Sequence, residues 1–140
     1  MKYPFFLIIF LLFYVQTNGQ NQTQIKIHYI APKKFVTGQS VKLKVQVSHD
    51  LKEEKTGSLT LSLINHQTKK SVDGWFLNIF PFQYFTTLLN EKFEAEFPFT
   101  IPNDYRESVD LLLVAVVNEL KDTIGFTIPI KKANPIAKKS

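Results

Sequence analysis

The chain has 140 residues, of which 44% are hydrophobic and 21% are charged, a composition typical of a folded domain and not of a disordered tail. It contains no cysteine, which excludes disulfides, thiolate metal sites, cysteine nucleophiles and thioesters. The formal net charge is +5 at pH 7, but the lysines form separated pairs and Arg106 is the only arginine, so the pattern does not favour nucleic acid binding.

The N-terminus has the organisation of a secretory signal peptide. Lys2 supplies a positive charge, residues 5–15 form an apolar run, and the polar stretch that follows ends on the small residue Gly19. Eleven apolar residues are too few to span roughly 30 Å of hydrocarbon as a helix. We therefore predict that residues 1–19 are removed on export, that the protein is secreted into the periplasm or the extracellular space, and that it keeps no stable membrane anchor.

Apolar and polar residues alternate along the rest of the chain, whereas no segment shows helical periodicity. The alternation is clear over residues 41–47, 58–63, 93–97 and 123–128, and it is weaker over residues 25–29. Such a pattern is typical of a strand with one buried face. Turn signals separate these runs at Thr37 and Gly38, residues 50–55, Asp73 and Gly74, residues 101–104, and Lys121 and Asp122.

Short strands with turns at this spacing predict an all-β fold. We expect one immunoglobulin- or fibronectin-like antiparallel β-sandwich of about seven strands over residues 20–131. A flexible basic tail is expected over residues 132–140, which are rich in lysine, alanine and proline.

One predicted strand, residues 109–117, is apolar on both faces. Its second face carries Leu112, Val114 and Val116, where a half-exposed strand would carry polar residues. Either a loop of the same domain covers this face, or another protein does. We favour the loop, because a suitable one is present.

That loop, residues 74–85, is the most unusual segment of the chain. Pro81 argues against one continuous central strand here, and so much apolar surface is costly to leave in water. The segment either folds over the sandwich or forms a contact surface for a partner. Its six aromatic residues are the candidate partner-binding residues: Trp75, Phe76, Phe80, Phe82, Tyr84 and Phe85.

The residues do not suggest an enzyme. His28, His49 and His66 lack the spacing of a metal-binding pair, and no serine lies in the context of a nucleophile elbow. The carboxylates, such as Glu53 and Glu54, fall on positions expected to face solvent. We therefore expect no catalytic residues, no cofactor and no metal.

Several stretches, taken in order, resemble a macroglobulin domain of the bacterial alpha-2-macroglobulin family. A proline-basic-phenylalanine start leads to a glycine turn and an alternating strand over residues 32–43, and similar stretches follow at residues 47–61, 72–76, 83–86 and 97–102. The resemblance implies the sandwich fold and a distant relationship to endopeptidase inhibitors. The chain departs from the family because it has one domain and no bait-like segment. Thioester coupling is impossible without cysteine, and trapping a protease by enclosure is implausible at 16.2 kDa.

The sequence thus leaves three functions open. The favoured one is a non-enzymatic interaction or structural module that contacts another cell-envelope or extracellular protein through the aromatic segment or a sheet edge. The second is an endopeptidase inhibitor that occludes a protease cleft directly, with residues 50–55 or the aromatic segment as the inserted loop. The third is a truncated remnant of a larger alpha-2-macroglobulin-like protein.

Overall fold

A computed structural model describes residues 24–87 and 92–133, which form nine strands. The strands are β1 (Ile25–Ile30), β2 (Phe35–Val36), β3 (Ser40–His49), β4 (Thr56–Asn65), β5 (Phe82–Thr86), β6 (Phe93–Thr100), β7 (Val109–Val117), β8 (Leu120–Ile128) and β9 (Ile130–Lys131). Within these ranges no helix is long and apolar enough to cross a membrane. The predicted signal peptide lies outside the described residues, as does most of the predicted tail.

The strands build two antiparallel sheets that pack face to face. One sheet has the order β1-β3-β6 and the other has the order β5-β4-β7-β8, while β2 and β9 form a short parallel pair beside them. This is an immunoglobulin- or fibronectin-like β-sandwich with seven principal strands, so the predicted fold class is confirmed.

The core lies between the inner faces of the two sheets. Inward and outward residues alternate along the strands, and Leu43, Leu61 and Leu113 are almost completely buried. Burying one such side chain contributes roughly 1.5–3 kcal/mol relative to leaving it in water. The apolar half of each alternating run therefore supplies the interior, as the pattern predicted.

The turn between β7 and β8 is not where the sequence suggested. Lys121 and Asp122, which we predicted as a turn, lie inside β8, and the turn is formed by Asn118 and Glu119. Asn118 has a φ of 53°, a left-handed conformation that asparagine tolerates better than most residues. The prediction was wrong because two charged residues are a weaker turn signal than one asparagine in a two-residue connection.

We predicted residues 74–85 as one loop, the aromatic segment, but its C-terminal part belongs to strand β5. In β5, Phe82 and Tyr84 point outward, whereas Gln83 and Phe85 point towards the interior. Gly57 of β4 lies opposite Phe85, and a Cβ there would come within 2.6 Å of the phenylalanine ring. The glycine therefore leaves the space in which Phe85 is buried.

The backbone after β8 is tied to the start of the sandwich. β9 pairs with β2, and the N–H of Ala133 donates a hydrogen bond of 2.9 Å to Thr37 Oγ1. The first two residues of the predicted tail, Lys132 and Ala133, are therefore attached to the domain, and the remainder lies outside the described residues.

Candidate functional site

The exposed apolar surface of the protein is concentrated in one stretch of chain. Among the described residues eight large hydrophobic side chains are exposed, and six of them lie within residues 75–84. These six are 51–70% exposed: Trp75, Leu77, Ile79, Phe80, Phe82 and Tyr84. We call residues 75–84 the exposed apolar segment. Scattered single hydrophobic residues are normal on a protein surface, but a cluster of this kind usually marks a contact site.

Phe76 anchors the exposed apolar segment to the core. Its side chain is 0% exposed and its ring meets that of Tyr105 edge to face, with the centroids 4.8 Å apart. Its carbonyl accepts a 2.7 Å hydrogen bond from the N–H of Thr100 in β6. Trp75 packs edge to face on Tyr105 at 5.4 Å, yet it remains half exposed. Phe76 thus fastens the segment to the interior, while several of its neighbours are presented to solvent.

Two polar side chains close the base of the turn. Asp73 Oδ1 accepts hydrogen bonds from the N–H of Leu63 and from Nδ2 of Asn78, at 2.8 Å and 2.9 Å. Asn78 Nδ2 also donates to the carbonyl of Leu61 in β4, and the N–H of Asn78 donates to the Asp73 carbonyl. The turn is therefore held along the edge of β4 by bonds that are largely shielded from water.

Leu77 lies at the tip of this turn in a strained conformation. Its φ of 56° is in the left-handed region, which costs a leucine roughly 1–2 kcal/mol. The N–H of Leu77 donates to the carbonyl of Gly74, and the bonds of Asn78 hold the next residue. The strain is maintained by its surroundings, and its result is an apolar side chain that points into solvent.

The outward face of β5 continues this apolar surface across the sheet. The rings of Phe82 and Tyr84 contact each other with centroids 5.0 Å apart. Phe82 lies opposite Thr60 of β4, and Thr60 lies opposite Val114 of β7. Directly opposed residues share a face of the sheet. The two rings and the row formed by Leu112, Val114 and Val116 therefore belong to the same outer face.

The outer row of β7 is only half buried. We expected residues 74–85 to cover it, but the segment is hydrogen-bonded along the edge of β4 and to Thr100 of β6. It closes one side of the sandwich instead of lying over β7, so the expectation of a covering loop is wrong. The reason is that Phe76 finds its buried site between the sheets, which holds the turn at their edge.

The six candidate partner-binding residues divide into two groups. Phe76 and Phe85 are core residues and cannot reach a partner in this structure. Trp75, Phe80, Phe82 and Tyr84 remain available on the surface. Sequence reasoning omitted Leu77 and Ile79, which are equally exposed, because it counted only aromatic residues.

A charged cluster lies at one end of the same outer face. Asp110 accepts hydrogen bonds from Thr127 Oγ1 at 2.7 Å, His66 Nδ1 at 2.8 Å and Lys69 Nζ at 3.1 Å. Burial alone raises the pKa of the Asp110 carboxyl, but these three hydrogen bonds outweigh it and lower the pKa below its ordinary value. The three donors satisfy the Asp110 carboxylate, and the cluster thereby ties β7 to β8 and to the loop after β4.

The opposite sheet carries a shallow groove of about 430 Å³ on its outer face. Its polar lining includes His28, Gln46 and Glu94, and the amide of Gln46 donates to Glu94 Oε2 at 3.0 Å while His28 shares a hydrogen bond with Ser48. In the described residues no group of three or more metal-ligating side chains comes together. His28, Gln46 and Glu94 in this groove are therefore already hydrogen-bonded.

Neither a protein-family model nor a curated protein matches the sequence. The fold is similar to the CARDB domain of a Pyrococcus furiosus protein, solved in complex with di-metal ions, with 9% identity and a TM-score of 0.56. That match covers 80% of this chain and 94% of the domain. A family 123 glycoside hydrolase of Clostridium perfringens aligns with 10% identity and a TM-score of 0.50, covering 81% of this chain.

These likenesses concern the fold alone, since identities near 10% do not carry function. The chain spans 28% of the Clostridium perfringens hydrolase, so the match is to one part of a much larger protein. The CARDB likeness, which covers 80% of this chain and 94% of the domain, agrees with the immunoglobulin-like β-sandwich fold of this chain.

Proposed function

We propose that the protein is a secreted, non-enzymatic β-sandwich module that binds another cell-envelope or extracellular protein through the exposed apolar segment. The observation that carries the proposal is the concentration of six exposed hydrophobic side chains in ten consecutive residues. The turn that presents them is preorganised, because Asp73 and Asn78 fasten it to β4 and Phe76 fastens it to the core.

Preorganisation favours binding because the side chains lose little conformational freedom when the partner arrives. Trp75 is the expected anchor: it is large, amphipathic and half exposed, and Tyr105 already fixes its ring. Tryptophan and tyrosine are the residues most often found at the energetic centre of an interface. Leu77 contributes because its strained backbone keeps an aliphatic side chain at the tip of the turn.

We also propose that the module is a distant relative of a single macroglobulin domain. The support for this kinship is the ordered set of sequence stretches that resemble the family, together with a sandwich fold that is compatible with it. The kinship adds no mechanism, since the chain lacks the cysteine that a thioester requires.

The binding function is tested by affinity capture from native envelope and extracellular material with the exported protein as bait. Variants Trp75→Ala and Phe80→Ala should each lose the captured protein by roughly tenfold or more, the size of a hot-spot residue. Ile30→Ala is the matched control, because Ile30 is the most exposed hydrophobic residue of the opposite sheet. Equal capture by all three variants would overturn the proposal. A captured protease whose activity falls on binding would select the occluding-inhibitor alternative.

A further inference from the structure

The two sheets end in four edge strands, and one of them differs from the rest. β1 carries Lys26, β6 carries Glu94 and Glu96, and β8 carries Lys121, whereas β5 contains neither a charge nor a proline. Charged residues on an edge strand are a common protection against pairing with another chain. β5 lacks this protection and carries two exposed rings instead.

Two neighbouring edges are also blocked by side chains from the facing sheet. Asp122 of β8 accepts a 2.8 Å hydrogen bond from the N–H of Ile27 in β1. Gln83 of β5 donates a 2.9 Å hydrogen bond to the carbonyl of Glu96 in β6. The N–H of Ile27 and the carbonyl of Glu96 are therefore not free to form hydrogen bonds with a strand of another chain.

The pairing of β5 with β4 determines which of its backbone groups face outward. The N–H of Leu61 donates to the carbonyl of Pro81, and the N–H of Thr87 donates to the carbonyl of Lys55. In an antiparallel pair the inward and outward backbone groups alternate along the strand. The N–H and C=O groups of Phe82, Tyr84 and Thr86 therefore face away from β4, and they make no hydrogen bond to another described residue.

We propose that a second copy of the chain pairs with this edge, β5 against β5, in antiparallel register about a two-fold axis at Tyr84. The inference deepens the proposed function and rests on it in one respect, since it assigns part of the exposed apolar segment to contact between copies. The joined sheets would form one continuous sheet of eight strands, with the outer faces of both copies side by side.

The edge of β5 favours a second copy as the occupant because it is uncharged and therefore does not repel itself, and a two-fold axis at Tyr84 closes the pairing. With Tyr84 opposite Tyr84 of the other copy, Phe82 lies opposite Thr86, and all outward N–H and C=O groups of the three residues find partners. A two-fold interface requires such self-complementarity. No charge on β5 opposes the contact, and the exposed rings of Phe82 and Tyr84 gain cover from the neighbouring copy.

The size of the contact predicts a weak dimer. Each of the half-exposed rings of Phe80, Phe82 and Tyr84 offers roughly 100 Å² for burial, well below the ~800 Å² per partner of a standard interface. The two copies also repel each other, since the exported chain, which has lost Lys2 from a full sequence of formal net charge +5, carries +4. We therefore expect a dimer that appears only at high protein concentration and that salt strengthens by screening this repulsion.

Sedimentation equilibrium of the exported protein over a concentration series tests the proposal. The wild type should pass from monomer to dimer, and Tyr84→Lys should weaken the dimer by tenfold or more, because it places two like charges opposite each other at the axis. Thr123→Lys is the matched control, since Thr123 is an exposed outer-face residue on the other edge strand of the same sheet. It should dimerise like the wild type.

The backbone contribution is tested separately with Tyr84→Pro and Tyr84→Ala. Proline removes an N–H that faces away from β4, so the fold should persist while two hydrogen bonds at the axis are lost. Alanine keeps the N–H and removes only the ring. Tyr84→Pro should therefore dimerise more weakly than Tyr84→Ala, and equal affinities would show that the edge is not paired. Unchanged circular dichroism of each variant excludes unfolding as the cause.

The register is tested by single cysteines in a chain that otherwise has none. Tyr84→Cys should give a covalent dimer with a short bis-maleimide linker. Phe82→Cys and Thr86→Cys should link well only when the two variants are mixed, because these positions oppose each other. A wild type that remains monomeric at every concentration, or a dimer abolished by Thr123→Lys, overturns the inference. Neither result touches the proposed function, which fails instead if Trp75→Ala leaves partner capture unchanged.

Discussion

The two lateral sides of the sandwich are closed by different means. On the β1–β8 side, Asp122 caps the backbone of Ile27 and the ring of Tyr29 stacks on Phe126 with centroids 4.2 Å apart. On the β5–β6 side, residues 72–81 form a wall in which Phe76 is the one completely buried side chain. The first side uses few residues and leaves two large hydrophobic side chains exposed, Tyr29 and Ile30, against six on the second. The second brings in far more apolar side chain than the core can bury.

The difference teaches that the apolar excess of the β5–β6 side is not needed to close the fold. One charge and one aromatic stack are enough on the other side, so Leu77, Ile79 and Phe80 are more than packing requires. Large exposed apolar patches are uncommon on protein surfaces because they promote association. Their presence on a rigid turn therefore supports the proposed contact surface.

Removing the anchor of the β5–β6 side should cause the largest loss of stability. Phe76→Ala should lower the free energy of unfolding by about 3–5 kcal/mol, since it empties a fully buried site. Trp75→Ala should cost only about 1 kcal/mol, because that ring is half exposed and loses chiefly its contact with Tyr105. Urea unfolding measures both. Equal losses of unfolding free energy for the two variants would mean that Phe76 is not the main anchor of this side.

Uncapping β1 tests whether the β1–β8 side depends on a single carboxylate. Asp122→Ala should cost about 1–3 kcal/mol, because it leaves the part-buried N–H of Ile27 without an acceptor. Gln83→Ala makes the matched change on the other side, where the carbonyl of Glu96 is exposed, and should cost below about 0.5 kcal/mol. Thermal unfolding of the two variants compares them. A larger loss of stability for Gln83→Ala would show that the β5–β6 side, and not the β1–β8 side, depends on a single capping side chain.

Alkaline pH should loosen the β5–β6 side. Burial raises the pKa of Tyr105 to about 12 from an ordinary value of 10.0, with the carboxylates of Glu107 and Asp110 adding to the shift. The stability linked to a raised pKa is present below the unfolded value and is lost as the pH rises from about 10 to about 12. Tyr105→Phe should cost about 1 kcal/mol at neutral pH by losing the bond to the Ser108 carbonyl. It should also show a smaller fall in unfolding free energy over the alkaline range; identical slopes would contradict this assignment.

The strain at Leu77 gives the smallest expected change, and it is a gain. Leu77→Gly should raise the free energy of unfolding by about 0.5–1 kcal/mol, because glycine adopts a positive φ without steric cost. The same variant should bind the captured partner more weakly, since it lacks the exposed side chain. Chemical denaturation and capture together check both outcomes. A loss of stability would show that Leu77 contributes packing that outweighs its strain.

Sequence patterns predicted the sandwich well because alternation is a local signal. Residues 41–47 and 58–63 each show which side chains face the interior, and the structure buries those side chains. The aromatic segment could not be divided in the same way. Phe76 is buried because a turn held by Asp73 and Asn78 points it inward, and Phe85 is buried because Gly57 of another strand leaves room.

Both causes depend on β4, since Asp73 and Asn78 are bonded to Leu63 and Leu61, and Gly57 lies opposite Phe85. The six aromatic residues therefore could not be distinguished from the sequence, although two of them, Phe76 and Phe85, belong to the core. The sequence did not indicate the unprotected edge of β5 either. We predicted residues 74–85 as one loop, and the strand forms only because residues 82–86 pair with residues 56–60 of β4. Composition thus located the exposed apolar segment, whereas only the strand pairing showed which side chains and backbone groups of this segment are exposed.

The parallel pair of β2 and β9 fixes where the chain enters and leaves the domain. Gln24 is bonded to Asp50 at one pole of the domain, and Ala133 is bonded to Thr37 at the other, roughly 30 Å away along the ten residues of β3. The N–H of Phe35 donates to the carbonyl of Pro129, and the N–H of Thr37 donates to the carbonyl of Lys131, so the chain after β8 is held at the pole opposite to the one where β1 begins.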